Sequence, residues 1–334
     1  MNSSTDTEQA LIYYNEGVEL LNKGNHKEAE EAFNKAISFQ PDLVEALYNL
    51  ALLHHTNGKF AEAEQGYRKV VSLKPDLSYA WENLGAILLD TNRIQEAEDA
   101  FRKTIELDPS DAVAWFHLGT SFLFTNKLSE AEPCYREALN LNPSYTEVLD
   151  RLGFVLRNLN QLEECIPLYE EFLKNNPSYG KGWFDYGNVL RDCEKQIEAK
   201  QAYRKAIDLE FPDAGPSLEL GIILLSQGKH QEGEDIINIA VNKYKDQAST
   251  WFGLGTVNQI FNRFADAEKA YTKALELDRN FSDAWYNLAV VLKFQAKLQE
   301  AEVAIKNFLV FSPQDSNAKK ILEEILQEKH KENK

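Results

Sequence analysis

The chain has 334 residues, 43% of them hydrophobic and 27% charged, with 18 Phe, 14 Tyr and 5 Trp, which gives it ample apolar surface for a core and excludes compositional disorder. A formal net charge of −17 argues against nucleic acid or an anionic membrane as the main partner, because both select for Lys and Arg. Cys134, Cys165 and Cys193 include no Cys-x-x-Cys pair, which excludes a disulfide framework and a zinc spacing and fits a reducing compartment.

Residues 1–9 are polar and lack the basic start and apolar run of a signal peptide, so a disordered tail and a cytoplasmic chain are expected. No apolar run reaches the length of a membrane span, so no direct membrane insertion is expected. From residue 10 the chain repeats itself. Small residues stand at Gly17, Ala51, Gly85, Gly119, Gly153, Gly187, Gly221, Gly255 and Ala289, each 34 residues after the last. Ala29, Ala63, Ala97, Ala131, Cys165, Ala199, Gly233, Ala267 and Ala301 form a second series with the same interval. The periods are 10–43, 44–77, 78–111, 112–145, 146–179, 180–213, 214–247, 248–281 and 282–315.

All five tryptophans fall at position 4 of a period, and apolar residues return at positions 7 and 11, the stripe of one helix. A second stripe at positions 20, 24 and 27, as in Ala97, Phe101 and Thr104, predicts a second helix. Gly24, Gly58, Asn92, Asn126, Asn160, Gly228 and Asn262 stand at position 15, where a left-handed residue would end the first helix. Pro41, Pro75, Pro109, Pro143, Pro177 and Pro313 close their periods.

Along the chain, Pro133 and Pro167 fall inside second helices and predict bends. Residues 210–221, EFPDAGPSLELG, predict the most flexible junction. The seventh period has Ser217 in place of the aromatic and no closing proline, which predicts an irregular stack there. Residues 316–334 carry a last apolar stripe and a charged tail, as expected of a capping helix.

The pattern W-x-x-L-G/A-x-x-L, then A-x-x-x-Y/F-x-x-A and P, over 34 residues resembles the tetratricopeptide repeat. The resemblance covers residues 10–315 and implies an all-α, right-handed superhelical solenoid that binds extended segments of other proteins in a concave groove. Positions 2, 5, 6, 9, 12 and 13 of each first helix would line that groove.

On that face, Tyr48, Tyr79, Phe116, Phe184, Phe252 and Tyr286 supply aromatic surface. Asn15, Asn49, Asn83 and Asn287, with His117 interrupting, resemble in part the asparagine ladder of O-linked N-acetylglucosamine transferases. Such amides either bond a peptide backbone or bridge neighbouring helices. Arg151, Arg157, Lys181 and Arg191, with Asn188, either recognise acidic or phosphorylated groups or pair with nearby aspartates. The carboxylate clamp for heat-shock protein C-terminal tails is incomplete, because position 2 offers Leu11, Glu45 and Tyr79 rather than lysine.

The six histidines are scattered, no phosphate-binding glycine loop or G-x-S-x-G elbow occurs, and the recurring carboxylates read as a solvated face. The expectation is a scaffold or adaptor without catalytic residues, metal or cofactor. A regulatory partner of a separate enzyme, such as a glycosyltransferase, and a self-associating assembly subunit are the alternatives.

Overall fold

A computed structural model of the chain describes residues 3–332, which form nineteen α-helices and no strand. The helices come in pairs, two to each 34-residue period. They run α1 (Ser3–Asn22), α2 (His26–Phe39), α3 (Val44–Thr56), α4 (Phe60–Leu73), α5 (Ser78–Asp90), α6 (Ile94–Leu107), α7 (Ala112–Phe124), α8 (Leu128–Leu141), α9 (Thr146–Asn158) and α10 (Leu162–Asn175). They continue with α11 (Gly180–Asp192), α12 (Gln196–Asp208), α13 (Gly215–Ser226), α14 (His230–Lys243), α15 (Ala248–Ile260), α16 (Phe264–Leu277), α17 (Ser282–Phe294), α18 (Leu298–Phe311) and α19 (Ser316–Glu332). Because α1 begins at Ser3, the expected disordered tail is helical from that residue on, and residues 1–2 lie outside the described residues.

Six of the pairs close on a glycine that faces a ring, while Gly221 faces Ile237 and Ala51 and Ala289 take the place in the second and ninth periods. A Cβ on Gly85 would stand 2.6 Å from Cε1 of Phe101, and one on Gly187 would stand 2.5 Å from Cε1 of Tyr203; both rings are fully buried. Each tryptophan also fastens the chain that enters its helix. Trp81 Nε1 donates to the Pro75 carbonyl at 2.9 Å, and Trp115 and Trp183 do the same to Pro109 and Pro177. Trp251 finds the carbonyl of Lys245 at 2.7 Å, so the seventh period keeps this bond without its proline.

First helices end in a left-handed residue, as the glycines and asparagines predict, with φ of 61° at Asn92 and 57° at Asn126. Glu194 and Ala296 adopt the same conformation, with φ of 60° and 56°. Their neighbours impose it: Lys195 N–H donates to the Leu190 carbonyl at 2.8 Å and Lys297 N–H to that of Leu292 at 2.9 Å, closing the helix end. Helices α8 and α10 continue through Pro133 and Pro167 without interruption.

The chain divides into two compact halves, Met1–Asn175 and Asn176–Lys334, a division that falls before the junction at residues 210–221. That junction is fastened within the second half. Asp213 accepts from Gly215 N–H at 2.6 Å, and the Tyr244 hydroxyl donates to the Phe211 carbonyl at 2.9 Å.

In each half a ladder of ion pairs joins one period to the next. Lys59 reaches Glu30 at 2.8 Å, Arg93 reaches Glu64 at 2.6 Å and Lys127 reaches Glu98 at 3.1 Å. The second half has Arg263 with Glu234 at 2.9 Å and Lys297 with Glu268 at 2.6 Å. Glu98, 2% exposed, departs from the solvated face expected of the recurring carboxylates, while its counterparts in the ladder stay partly exposed. At α19, Ala318 and Ile325 are fully buried against the cluster that holds Leu292 and Phe308.

Candidate functional site

In the first half, α3 touches α5 and α5 touches α7, and no comparable contact joins α4 to α6 or α6 to α8 among the described residues. The first helices therefore form the crowded inner side, and the second helices splay on the outer side. Positions 5 and 6 of consecutive first helices meet there, as Tyr48 and Asn83 do.

The asparagines on this face are already engaged. Asn49 Nδ2 donates to the Tyr14 hydroxyl at 3.4 Å, and Asn83 Nδ2 donates to the Tyr48 hydroxyl at 3.2 Å and the Tyr79 carbonyl at 2.7 Å. The amides thus bridge consecutive periods through their Nδ2 groups. Asn15 is exposed. Tyr48 and Tyr79 meet edge to face at 4.8 Å, and Phe116 contacts Tyr145 at 5.2 Å. His117 stacks on Phe101 at 5.2 Å, and burial lowers its pKa, so it is neutral near pH 7. Arg151 and Arg157 are both exposed on α9, and the Arg151 charge reaches the Tyr135 hydroxyl.

In the second half, Lys181 pairs with Asp185 at 2.7 Å. Arg191 pairs with Glu219 at 2.6 Å and Asp192 at 2.9 Å, which holds the guanidinium protonated. These two cations are met by their own helix and by the next first helix, the internal arrangement left open by the sequence. Asn188 accepts from the Tyr203 hydroxyl at 3.0 Å, and Phe184 stacks on Phe211 at 5.7 Å. Phe252, Tyr286 and Asn287 share a cavity of about 320 Å³ with Asp283, Phe308, Asp315 and Asn317.

Sequence reasoning passed over Glu82. It occupies position 5, where most other periods carry an aromatic residue, and that exchange is the signal that could have found it. Burial raises the Glu82 pKa, and the charge of Asp111 raises it further. Its own charge acts on Tyr48, Tyr67 and Tyr145. Among the described residues no cluster of His, Cys, Asp and Glu could hold a metal, and no helix is long and apolar enough to cross a membrane.

Profiles described as tetratricopeptide repeat match residues 14–78, 78–111, 112–145, 146–179, 180–213, 248–281 and 270–303. A stretch of 85 residues is 33% identical to human Protein O-mannosyl-transferase TMTC3, covering 25% of this chain and 9% of that protein. The chain thus spans less than a tenth of this relative. Among solved structures, pilF of Pseudomonas aeruginosa is similar with a TM-score of 0.51 at 21% identity, over 65% of this chain and 96% of that one. A chain of the APC/C hetero-tetramer Cut9-Hcn1 is similar with a TM-score of 0.51 at 15% identity, over 95% of this chain and 76% of the other. Both likenesses concern the fold. Since helix pairs recur at the 34-residue period and the matched spans cover residues 14–213 and 248–303, the chain is a helical repeat solenoid and belongs to the tetratricopeptide repeat family.

Proposed function

We propose that the chain is a non-catalytic protein-interaction scaffold that holds an extended segment of a partner against the first-helix face of its repeats. One observation carries this reading. Phe124 and Phe154, at positions 13 and 9 of consecutive first helices, are 67% and 53% exposed. Large exposed apolar side chains on one face mark a contact surface, and solenoids of stacked repeats use such surfaces for extended ligands. The acceptors left on Asn49 and Asn83 suit a backbone that offers N–H groups. The transferase name of the human relative is not carried over, because the match takes in so little of that protein. Three unbridged cysteines fit the cytoplasmic setting expected from the sequence.

A photo-crosslinking amino acid placed at Phe124 or Phe154, and at half-buried Glu137 on α8 as the outer-face control, tests the proposal in native lysate. A partner captured from the first two positions and missed from the third supports it. Equal capture from all three places binding elsewhere.

A further inference from the structure

The inner face of the first four periods has a one-sided charge, which ends at Arg151 and Arg157 of the fifth. In the first four periods, positions 2, 5, 6, 9, 12 and 13 include Glu45, Glu82 and Asp90 and no lysine or arginine. Glu45 lies 3.9 Å from Lys74, and Asp90 lies 3.6 Å from His55. Glu82 accepts no hydrogen bond and joins no ion pair among the described residues, and the charge that bears on it is that of another carboxylate, Asp111.

A second observation, independent of the acids, concerns Tyr67. The tyrosine at position 24 recurs, and its buried hydroxyl normally meets position 9 of its own period. Tyr135 meets Thr120 at 3.2 Å, Tyr203 meets Asn188 at 3.0 Å and Tyr271 meets Thr256 at 3.4 Å. At Tyr67 that position is Leu52, and the Tyr67 hydroxyl, on a fully buried side chain, has no partner. The Tyr67 ring lies 5.7 Å from that of Tyr48, which itself meets Tyr79 and Asn83, so an unsatisfied hydroxyl is buried behind the same cluster. A buried hydroxyl left unpaired is unfavourable until something reaches it.

We infer that this face receives an extended segment bearing a lysine or arginine, whose cationic head is held by Glu82 between Tyr48, Tyr79 and Tyr145. The inference rests on the groove reading above and adds the chemistry of the occupant. A cation supplies the counter-charge that Glu82 lacks and finds ring faces on either side, a combination that favours ammonium and guanidinium groups over neutral ones. Its N–H donors can satisfy the acceptors on Glu82 and on Asn83 Oδ1. An acidic segment would meet Glu82 and Asp111 with like charge.

The test is selection of a random 12-residue peptide display library on the full chain, on Glu82→Gln, and on Tyr79→Ala, each checked for folding by thermal melt. The expected result is enrichment of Lys and Arg on the native chain that disappears on Glu82→Gln, with a selected basic peptide losing about tenfold or more in affinity. Glu137→Gln on the outer face leaves that affinity unchanged. Equal losses from Glu82→Gln and Glu137→Gln overturn the inference, since diffuse charge then explains binding. Acidic or neutral winners that Tyr79→Ala abolishes overturn it and leave the groove reading standing. Winners indifferent to Tyr79→Ala and to Glu82→Gln overturn both.

Discussion

Ala51 and Gly66 face one another across α3 and α4 so closely that a Cβ on Gly66 would stand 2.7 Å from that of Ala51. Elsewhere the arrangement is reversed: Gly85 is matched by Ala100 and Gly187 by Ala202 at the corresponding places. At Ala51 and Gly66 the spacing takes one methyl group and not two, although Ala289 and Ala304 share the same two places in the ninth period. Gly66→Ala is therefore expected to destabilise by about 1–3 kcal/mol through overpacking, less about 1 kcal/mol of helix propensity. Ala51→Gly alone is also destabilising, and the double variant recovers much of both losses. Urea unfolding of the four proteins checks this, and additive losses would sink the idea that the two sites share one space.

The position-24 tyrosines differ in what their hydroxyls do. Tyr203→Phe strips Asn188 of its donor and is expected to destabilise by about 1–2 kcal/mol, whereas Tyr67→Phe removes a group that has no partner and is neutral or stabilising. Thermal melts of the two variants side by side decide it. A loss at Tyr67 as large as that at Tyr203 would mean that the Tyr67 hydroxyl is satisfied in solution.

What was legible in the sequence is what the period enforces on every copy. Gly85 opposite Phe101 and the left-handed Asn92 could be read because glycine and asparagine are chosen for those tasks. Glu194 and Ala296 take the same left-handed turn without a favourable side chain, because the helix-closing hydrogen bonds decide it, so no residue type announced them. The amide ladder was visible at Asn49 and Asn83, but not its bonds to Tyr14 and Tyr48, which depend on how one period lies against the next. Glu98 and Lys127 escaped for the same reason: they are distant in the chain and meet only through stacking. Glu82 was hidden among many carboxylates until its burial set it apart.

Lys127 and Glu98 make the buried rung of the inter-repeat ladder. Glu98 is nearly inaccessible, so Lys127→Met leaves a carboxylate without its counter-charge and is expected to destabilise by about 1.5–3 kcal/mol. The pair replacement Lys127→Met with Glu98→Met recovers most of that, because the uncompensated charge goes with it. Lys59→Met, whose partner Glu30 is better exposed, loses less. Denaturant midpoints order the three, and a larger loss for Lys59→Met than for Lys127→Met would contradict the assignment of burial as the cause.

Glu82 sets a pH dependence of definite sign. Burial first, and then the charge of Asp111, raise its pKa in the folded chain above that of the unfolded chain. Between those two pKa values the native state holds more protons than the unfolded state, so the contribution of this group to stability is present at acid pH and lost as pH rises through the folded value. Glu82→Gln, which resembles the protonated form, is therefore expected to raise the melting temperature at neutral pH. The gain shrinks on acidification and vanishes below about pH 4, where the carboxyl is protonated in both states. Melting curves of both proteins from acid to neutral pH test this, and a Glu82→Gln protein less stable than the native chain at neutral pH would show that the carboxylate is compensated after all. A carboxylate that weakens the free protein and is relieved by a bound cation links this measurement to partner choice: a basic segment should raise the melting temperature of the native chain more than that of Glu82→Gln.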